Sequence, residues 1–181
     1  MHHATETTDR DITLRAPSAT DGAPVYRLIE RCPPLDTNSR YCNLLQCTHF
    51  ASTCVLAERD HDVVGFVSGY VTPGRDDTLF VWQVAVAPEA RHRGLAQRML
   101  EEILAREACK AVRYVETSIT PDNDPSWRTF RAFARSMSAA IVTEPWLSRR
   151  THFERLHPPE HLVRIGPFDR QSTPQQEEHN R

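Results

Sequence analysis

Several features that mark particular classes of protein are scarce or missing in this sequence. Its 181 residues contain five cysteines, an odd number without a CxxC pair, so a disulfide framework and a zinc site are both poorly supported. No apolar run is long enough to span a bilayer, and residues 1–11 lack the apolar core of a signal peptide. The formal net charge of -2 provides no general attraction to nucleic acid or to an anionic membrane. We therefore expect a cytoplasmic protein with reduced thiols and no metal, which binds neither nucleic acid nor membrane.

What is present indicates one α/β domain. Hydrophobic residues make up 39% and charged residues 25%, which are ordinary values for a globular protein. The polar segments 1–11 and 169–181 lack periodicity and are predicted to be disordered tails around a single domain at 12–168. Within that domain, strand and helix patterns alternate. Strands are predicted over 12–17, 53–58, 63–72, 78–87, 112–119, 139–144 and 161–168, with helices after Asp21, near Tyr41, from Leu95 and from Asp124.

A basic loop joins the strand over 78–87 to the following helix. The first turn of a helix presents unpaired N–H groups and a partial positive charge, which attract phosphate. Gly94 lets a ligand approach the backbone, Ala96 keeps the first turn narrow, and Arg91 and Arg93 add charged donors. The pattern R-x-x-G-x-A therefore predicts a pyrophosphate cradle, and the alternative is a solvated basic turn.

The segment VWQVAVAPEARHRGLAQRML resembles the signature of the GNAT acyltransferase superfamily. The resemblance implies a GNAT fold: a central mixed sheet with a splay between two parallel strands, here FVWQVAVA and RYVETSI, flanked by helices. It implies acetyl-CoA as cosubstrate, with backbone N–H groups of the first strand polarising the thioester carbonyl. The cofactor-binding residues it implies are Val84, Ala85, Val86, Arg91, Arg93, Gly94, Leu95, Ala96, Asn123 and Ser126.

The chain departs from that family in two places. Many members carry a tyrosine seven residues after the asparagine, where it protonates the departing thiolate, and here that position is Phe130. The FVWQV strand also lacks the carboxylate that many relatives use as a base, and Trp82 stands near that location. The group that protonates the thiolate stays unassigned, with water or another side chain as the alternatives.

The segment RCPPLDTNSRYCNLLQCTHFASTCVLAE resembles a narrower family, the diaminobutyrate acetyltransferases, which make the acetylated precursor of ectoine. Together with TSITPDNDPSW and HLVRIGPF, this resemblance spans roughly residues 12–168. It implies acetylation of the side-chain (N4) amine of L-2,4-diaminobutyrate, and it implies a homodimer.

Such a substrate carries two ammonium groups, so its site needs carboxylates. Asp36 is the first candidate, because the Pro-rich loop borders the substrate pocket in this fold; its alternative is a turn residue. Trp82 is a candidate for the pocket wall or for stacking on an ammonium, and a core tryptophan is its alternative. Tyr41 is a weaker substrate-binding candidate.

A His-x-x-Glu pair precedes the last predicted strand, and in the resembled family it contributes to the substrate site. Histidine is a side chain suited to accepting a proton near neutrality, which makes His157 a candidate base, and Glu160 is able to pair with an ammonium. Pro158 and Pro159 stand between them in place of the usual acidic residues, and a merely solvated histidine is the alternative. Trp82, His157 and Glu160 are the predicted catalytic group.

Two other functions stay open from the sequence. One keeps the fold and acetylates another small diamine or amino acid. The other is an acyl-CoA-binding module without turnover, which only Phe130 favours, while Asp36, His157 and Glu160 argue against it.

Overall fold

A seven-stranded mixed sheet forms the centre of the molecule. The computed structural model describes residues 12–168, and the predicted tails at 1–11 and 169–181 lie outside the described residues. The strands are β1 (Thr13–Arg15), β2 (Val55–Arg59), β3 (Asp62–Val71), β4 (Thr78–Val86), β5 (Tyr114–Ile119), β6 (Ile141–Leu147) and β7 (Glu160–Ile165). The helices are α1 (Gly22–Glu30), α2 (Arg40–Thr48), α3 (Leu95–Leu104) and α4 (Asp124–Ser136).

The strand order β1-β2-β3-β4-β5-β7-β6 contains one parallel pair, β4 with β5, and all other neighbours are antiparallel. The parallel pairing ends at Val81 opposite Thr117, although β4 continues to Val86 and β5 to Ile119. The two strands therefore diverge beyond Val81, and the splay implied by the sequence is confirmed. Backbone groups on the β5 side of β4 are left without a strand partner from this point, so they are available to a ligand.

A β-bulge marks the start of the divergence. In the pairing of β3 with β4, Ser68 lies opposite Gln83 and Gly69 opposite Val81, which leaves Trp82 as the extra residue of β4. Bulges re-aim side chains and are common next to active sites. The Trp82 side chain is 47% exposed, so it lies at the surface of the splay and not in the core.

Apolar positions at helical spacing bury one face of α1, α3 and α4, as predicted, whereas α2 buries Asn43, Gln46 and Cys47. On α1 the buried residues are Val25, Leu28 and Ile29, and this helix packs against α2, β3 and β4. The buried face of α3 lies against β2, β3 and β4, and α3 also contacts α4. The helix α4 begins where the Asn123 side chain accepts a hydrogen bond from the Ser126 backbone N–H at 3.2 Å.

The sixth strand differs from its prediction. The sequence predicts a strand over 139–144 that stops before Pro145, whereas β6 continues through Pro145 to Leu147. Proline lacks a backbone donor, and an edge strand tolerates it because its outer side has no partner. β6 is the terminal strand of the sheet, and its register shifts between Pro145 and Leu147.

Candidate active site

Two cavities adjoin at the splay between β4 and β5. One, of about 420 Å³, lies between the Pro-rich loop that precedes α2, the splayed strands and the segment just before β7. The other, of about 550 Å³, runs along the N-terminal ends of α3 and α4. We call them the acidic cavity and the cradle cavity. Residues that line both are Pro34, Leu35, Val84, Asn123, Ser126 and Phe130.

The cradle cavity is built on the loop that precedes α3. Gly94 is the N-cap of this helix with φ of 72°, a left-handed conformation that favours glycine. A Cβ placed on Gly94 would meet no heavy atom within 4 Å, so the backbone faces open space at the positive end of the helix. The Arg91 Nε donates to the Val86 carbonyl oxygen at 3.0 Å, which ties the loop to the end of β4. This arrangement suits a phosphate group.

Most of the predicted cofactor-binding residues line the cradle cavity. Ala85 does not, because its side chain is fully buried in the core, and Arg93 is not part of the lining either. Arg128 and Thr129 of α4 do line it and were missed by the sequence reasoning. A signal for Thr129 was present in the sequence, because it follows the predicted residue Ser126 by three positions and so shares a face of α4 with it. The predicted residues that line the cavity are Val84, Val86, Arg91, Gly94, Leu95, Ala96, Asn123 and Ser126.

The acidic cavity brings together residues that are far apart in the chain. Asp36, Trp82, His157 and Glu160 all line it, whereas Tyr41 lies on α2 with 69% of its surface exposed and does not. Asp122, which the sequence reasoning did not select, contributes a further carboxylate. No lysine or arginine of the described chain lines this cavity, so its lining carries acidic groups without a permanently charged cation to offset them. Ammonium groups fit such a cavity.

The His157 ring is held in a defined tautomer. Its Nδ1 lies 2.7 Å from the Pro158 carbonyl oxygen, which can only accept, so Nδ1–H is the donor. The ring also contacts Phe153, with 4.6 Å between ring centroids. In the neutral imidazole the remaining nitrogen, Nε2, then carries a lone pair and is able to accept a proton.

Glu116 of β5 carries a carboxylate near the splay but lies outside both cavities. Its carboxylate accepts two hydrogen bonds from Arg75, at 2.8 and 2.7 Å, and another from Arg164. Burial raises the pKa of this carboxyl, but the hydrogen bonds from the two arginines outweigh burial and the pKa is lowered. Glu116 is therefore an ionised structural partner that links β5 to β7 and to the turn before β4.

Among residues 12–168, no group of three or more His, Cys, Asp or Glu side chains is arranged to hold a metal ion. In that range, no helix has the length and apolar character that crossing a bilayer requires.

A mixed sheet splayed at its one parallel pair, with a glycine-capped helix start beside the gap, is the architecture of acyltransferases that take their acyl group from coenzyme A. A sequence model of the acetyltransferase (GNAT) family matches residues 23–134. This chain belongs to that family.

Three proteins similar to this chain are diaminobutyrate acetyltransferases. The L-2,4-diaminobutyric acid acetyltransferase of Methylotuvimicrobium alcaliphilum is 51% identical over 157 residues, which cover 87% of this chain and 91% of the relative. The enzyme of the same name from Vibrio parahaemolyticus is 48% identical over 152 residues, covering 84% of each protein. The diaminobutyrate acetyltransferase EctA from Paenibacillus lautus, solved in complex with L-2,4-diaminobutyric acid and coenzyme A, is 37% identical with a TM-score of 0.81. That alignment covers 90% of this chain and 98% of the solved one.

Proposed function

We propose that this chain transfers the acetyl group of acetyl-CoA to the side-chain (N4) amine of L-2,4-diaminobutyrate. The product is N4-acetyl-L-2,4-diaminobutyrate, the acetylated precursor of ectoine. The observation that carries this proposal is the junction of the two cavities, where a cavity lined by Asp36, Asp122 and Glu160 meets a phosphate cradle at the splay. A diammonium substrate and a coenzyme A thioester would meet at that junction.

The residues of the cradle cavity fit acetyl-CoA, which supplies the acetyl thioester. The start of α3 at Gly94 would hold the pyrophosphate, and Arg91 and Arg128 line the same cavity as cationic groups. The unpaired edge of β4 around Val84 and Val86 offers backbone groups to the pantetheine arm and N–H donors to the thioester carbonyl.

Side chains of the acidic cavity would bind the acceptor, diaminobutyrate. Asp36 and Glu160 would pair with ammonium groups, and the exposed face of Trp82 would pack against the substrate. His157 would accept the proton of the attacking amine at Nε2, because its Nδ1 is already bonded to Pro158. Phe130 lines both cavities and carries no hydroxyl, so the thiolate would be protonated by water or by another side chain.

Substrate profiling with product NMR tests this function. Coenzyme A release would be followed with diaminobutyrate, ornithine and lysine as acceptors, and NMR would show which nitrogen of the product carries the acetyl group. We expect diaminobutyrate to give the highest kcat/KM and acetylation at N4 only. Binding of acetyl-CoA without turnover of any of the three acceptors would contradict the proposal.

We also propose that the chain forms a homodimer in the cytoplasm. Its edge strand β6 exposes 60% of Val142 and 45% of Trp146, and Leu156 beyond it is 89% exposed. The five cysteines are free thiols, which suits a reducing compartment.

Light scattering on the wild type and on Val142→Glu tests the dimer. We expect twice the chain mass for the wild type and a large shift toward monomer for the variant, because a charge would be buried in the interface. Ala108→Glu, at an exposed position after α3, is the matched control and should leave the mass unchanged. A wild type that stays monomeric at millimolar concentration would refute the dimer, and cell fractionation tests the compartment.

A further inference from the structure

The Pro-rich loop, residues 33–39, has to be held in place because its Asp36 and Asn38 line the acidic cavity. It lies between α1 and α2, and its Asp36 side chain is exposed, so that side chain does not anchor the loop in the core. Two hydrogen bonds connect the loop to the sheet, and both end on Gln83 of β4. The Gln83 Nε2 donates to the Asp36 backbone oxygen at 2.9 Å, and its Oε1 accepts from the Asn38 Nδ2 at 3.3 Å.

We infer that Gln83 is a positioning residue, which holds the Pro-rich loop and thereby sets Asp36 against the acceptor amine. This inference rests on the proposed function for the identity of the acceptor only. Gln83 directly follows the bulge residue Trp82. The same bulge of β4 therefore places the Trp82 side chain in the acidic cavity and the Gln83 side-chain amide under the Pro-rich loop.

The chemistry of the side chain supports this role. A primary amide is able to donate and to accept at the same time, which the loop requires because it presents a carbonyl oxygen and an N–H donor. Gln83 is only 8% exposed and both hydrogen bonds are partly buried, so its amide group is expensive to leave without partners. A carboxylate at this position would lose the donor to Asp36, and an apolar side chain of equal length would lose both bonds.

Three variants separate positioning from general stability. Gln83→Met keeps the size of the side chain and removes both bonds, Gln83→Glu keeps only the acceptor for Asn38, and Asn38→Ala removes one bond from the loop side. We expect Gln83→Met to raise the KM for diaminobutyrate about tenfold or more, with the KM for acetyl-CoA within about twofold. Asn38→Ala should have a smaller effect, and the double variant should be no worse than Gln83→Met alone, because the two residues act through one contact.

Hydrogen exchange of the loop, measured without any substrate, is the decisive readout. We expect amides in peptides covering 33–39 to exchange faster in Gln83→Met than in the wild type, while peptides of β3 and α3 stay unchanged. Unchanged exchange in the loop, or equal rises in KM for both substrates, would overturn the inference. Faster exchange in the loop of a protein that does not acetylate diaminobutyrate would uphold the positioning role and reject the proposed acceptor.

Discussion

At the scale of single residues, Asp36 combines an exposed side chain with a fixed backbone. Its main-chain oxygen accepts from Gln83, so the carboxylate is free to meet an ammonium group in the acidic cavity. We predict that Asp36→Asn raises the KM for diaminobutyrate about tenfold, because a charged hydrogen bond becomes a neutral one, with little change for acetyl-CoA. Steady-state kinetics with each substrate varied in turn measures this difference.

The control for that change is Asp60→Asn, at the exposed hairpin turn between β2 and β3. Asp60 has a φ of 51°, a conformation that asparagine tolerates, so the same loss of charge far from the cavities should leave both KM values unchanged. Equal rises in the two KM values for Asp36→Asn would instead indicate a structural role for this side chain.

The residues of the acidic cavity show what a sequence is able to predict at this scale. Asp36, Trp82 and Glu160 were selected from motifs, and the fold places them around one cavity. Gln83 was missed because a glutamine inside an apolar strand belongs to no motif. Its hydrogen bond to the Pro-rich loop exists only once that loop has folded over β4. Tyr41 was also predicted to bind substrate, as Asp36 was. The direction of the Tyr41 side chain depends on which face of α2 packs against α1, and in the structure this side chain is exposed.

At the scale of secondary-structure elements, the start of α3 leads to a prediction that concerns acetyl-CoA and not diaminobutyrate. Gly94→Ala puts a Cβ into the open space of the cradle and adds about 1–2 kcal/mol of backbone strain at its left-handed φ. We expect the KM for acetyl-CoA to rise about tenfold, because the methyl group stands where the pyrophosphate approaches the helix N-terminus. The KM for diaminobutyrate should change little, and kinetics together with acetyl-CoA titration measures both effects.

Gly74 provides the matched control for this change. It lies in the turn between β3 and β4 with φ of 78°, and a Cβ there also meets no atom within 4 Å. Gly74→Ala should therefore cost similar stability while leaving acetyl-CoA binding intact. If the two variants weaken acetyl-CoA equally, strain and not the cradle accounts for the effect.

Element positions were largely readable from the sequence, and the exceptions have physical reasons. The spacing of Val25, Leu28 and Ile29 predicts α1 because a helix buries one stripe, and these residues are buried. The run through Pro145 was not predicted as strand, since the extent of β6 at the sheet edge is set by its pairing with the following strand, β7. A proline within a strand pattern is compatible with an edge strand, but it does not show where that strand ends.

At the scale of the whole molecule, one ion-pair cluster ties the N-terminal strand to the rest of the domain. Arg15 of β1 donates to both Asp21 oxygens at 2.8 Å, just before α1, and also to Glu58 of β2 at 2.9 and 3.0 Å. The hydrogen bond from Arg15 is the main cause that lowers the pKa of Asp21 from 3.8 to about 2, against the opposing effect of burial. The fold therefore favours the ionised form of Asp21.

The pH dependence of stability follows from that lowered pKa. Above pH 4 Asp21 is ionised in both the folded and the unfolded chain, so its stabilisation is fully present; it is lost as the pH falls from about 4 through about 2. We predict that Asp21→Asn lowers the free energy of unfolding at pH 7 by about 1–2 kcal/mol, discounted because Arg15 is partly exposed to solvent. Urea unfolding at pH 7, 4 and 2.5 should show the gap between wild type and variant narrowing toward acid, and Asp60→Asn should show no gap at any pH. A gap that stays constant down to pH 2.5 would mean that the asparagine disturbs packing, and that the charge of Asp21 does not stabilise this corner of the domain.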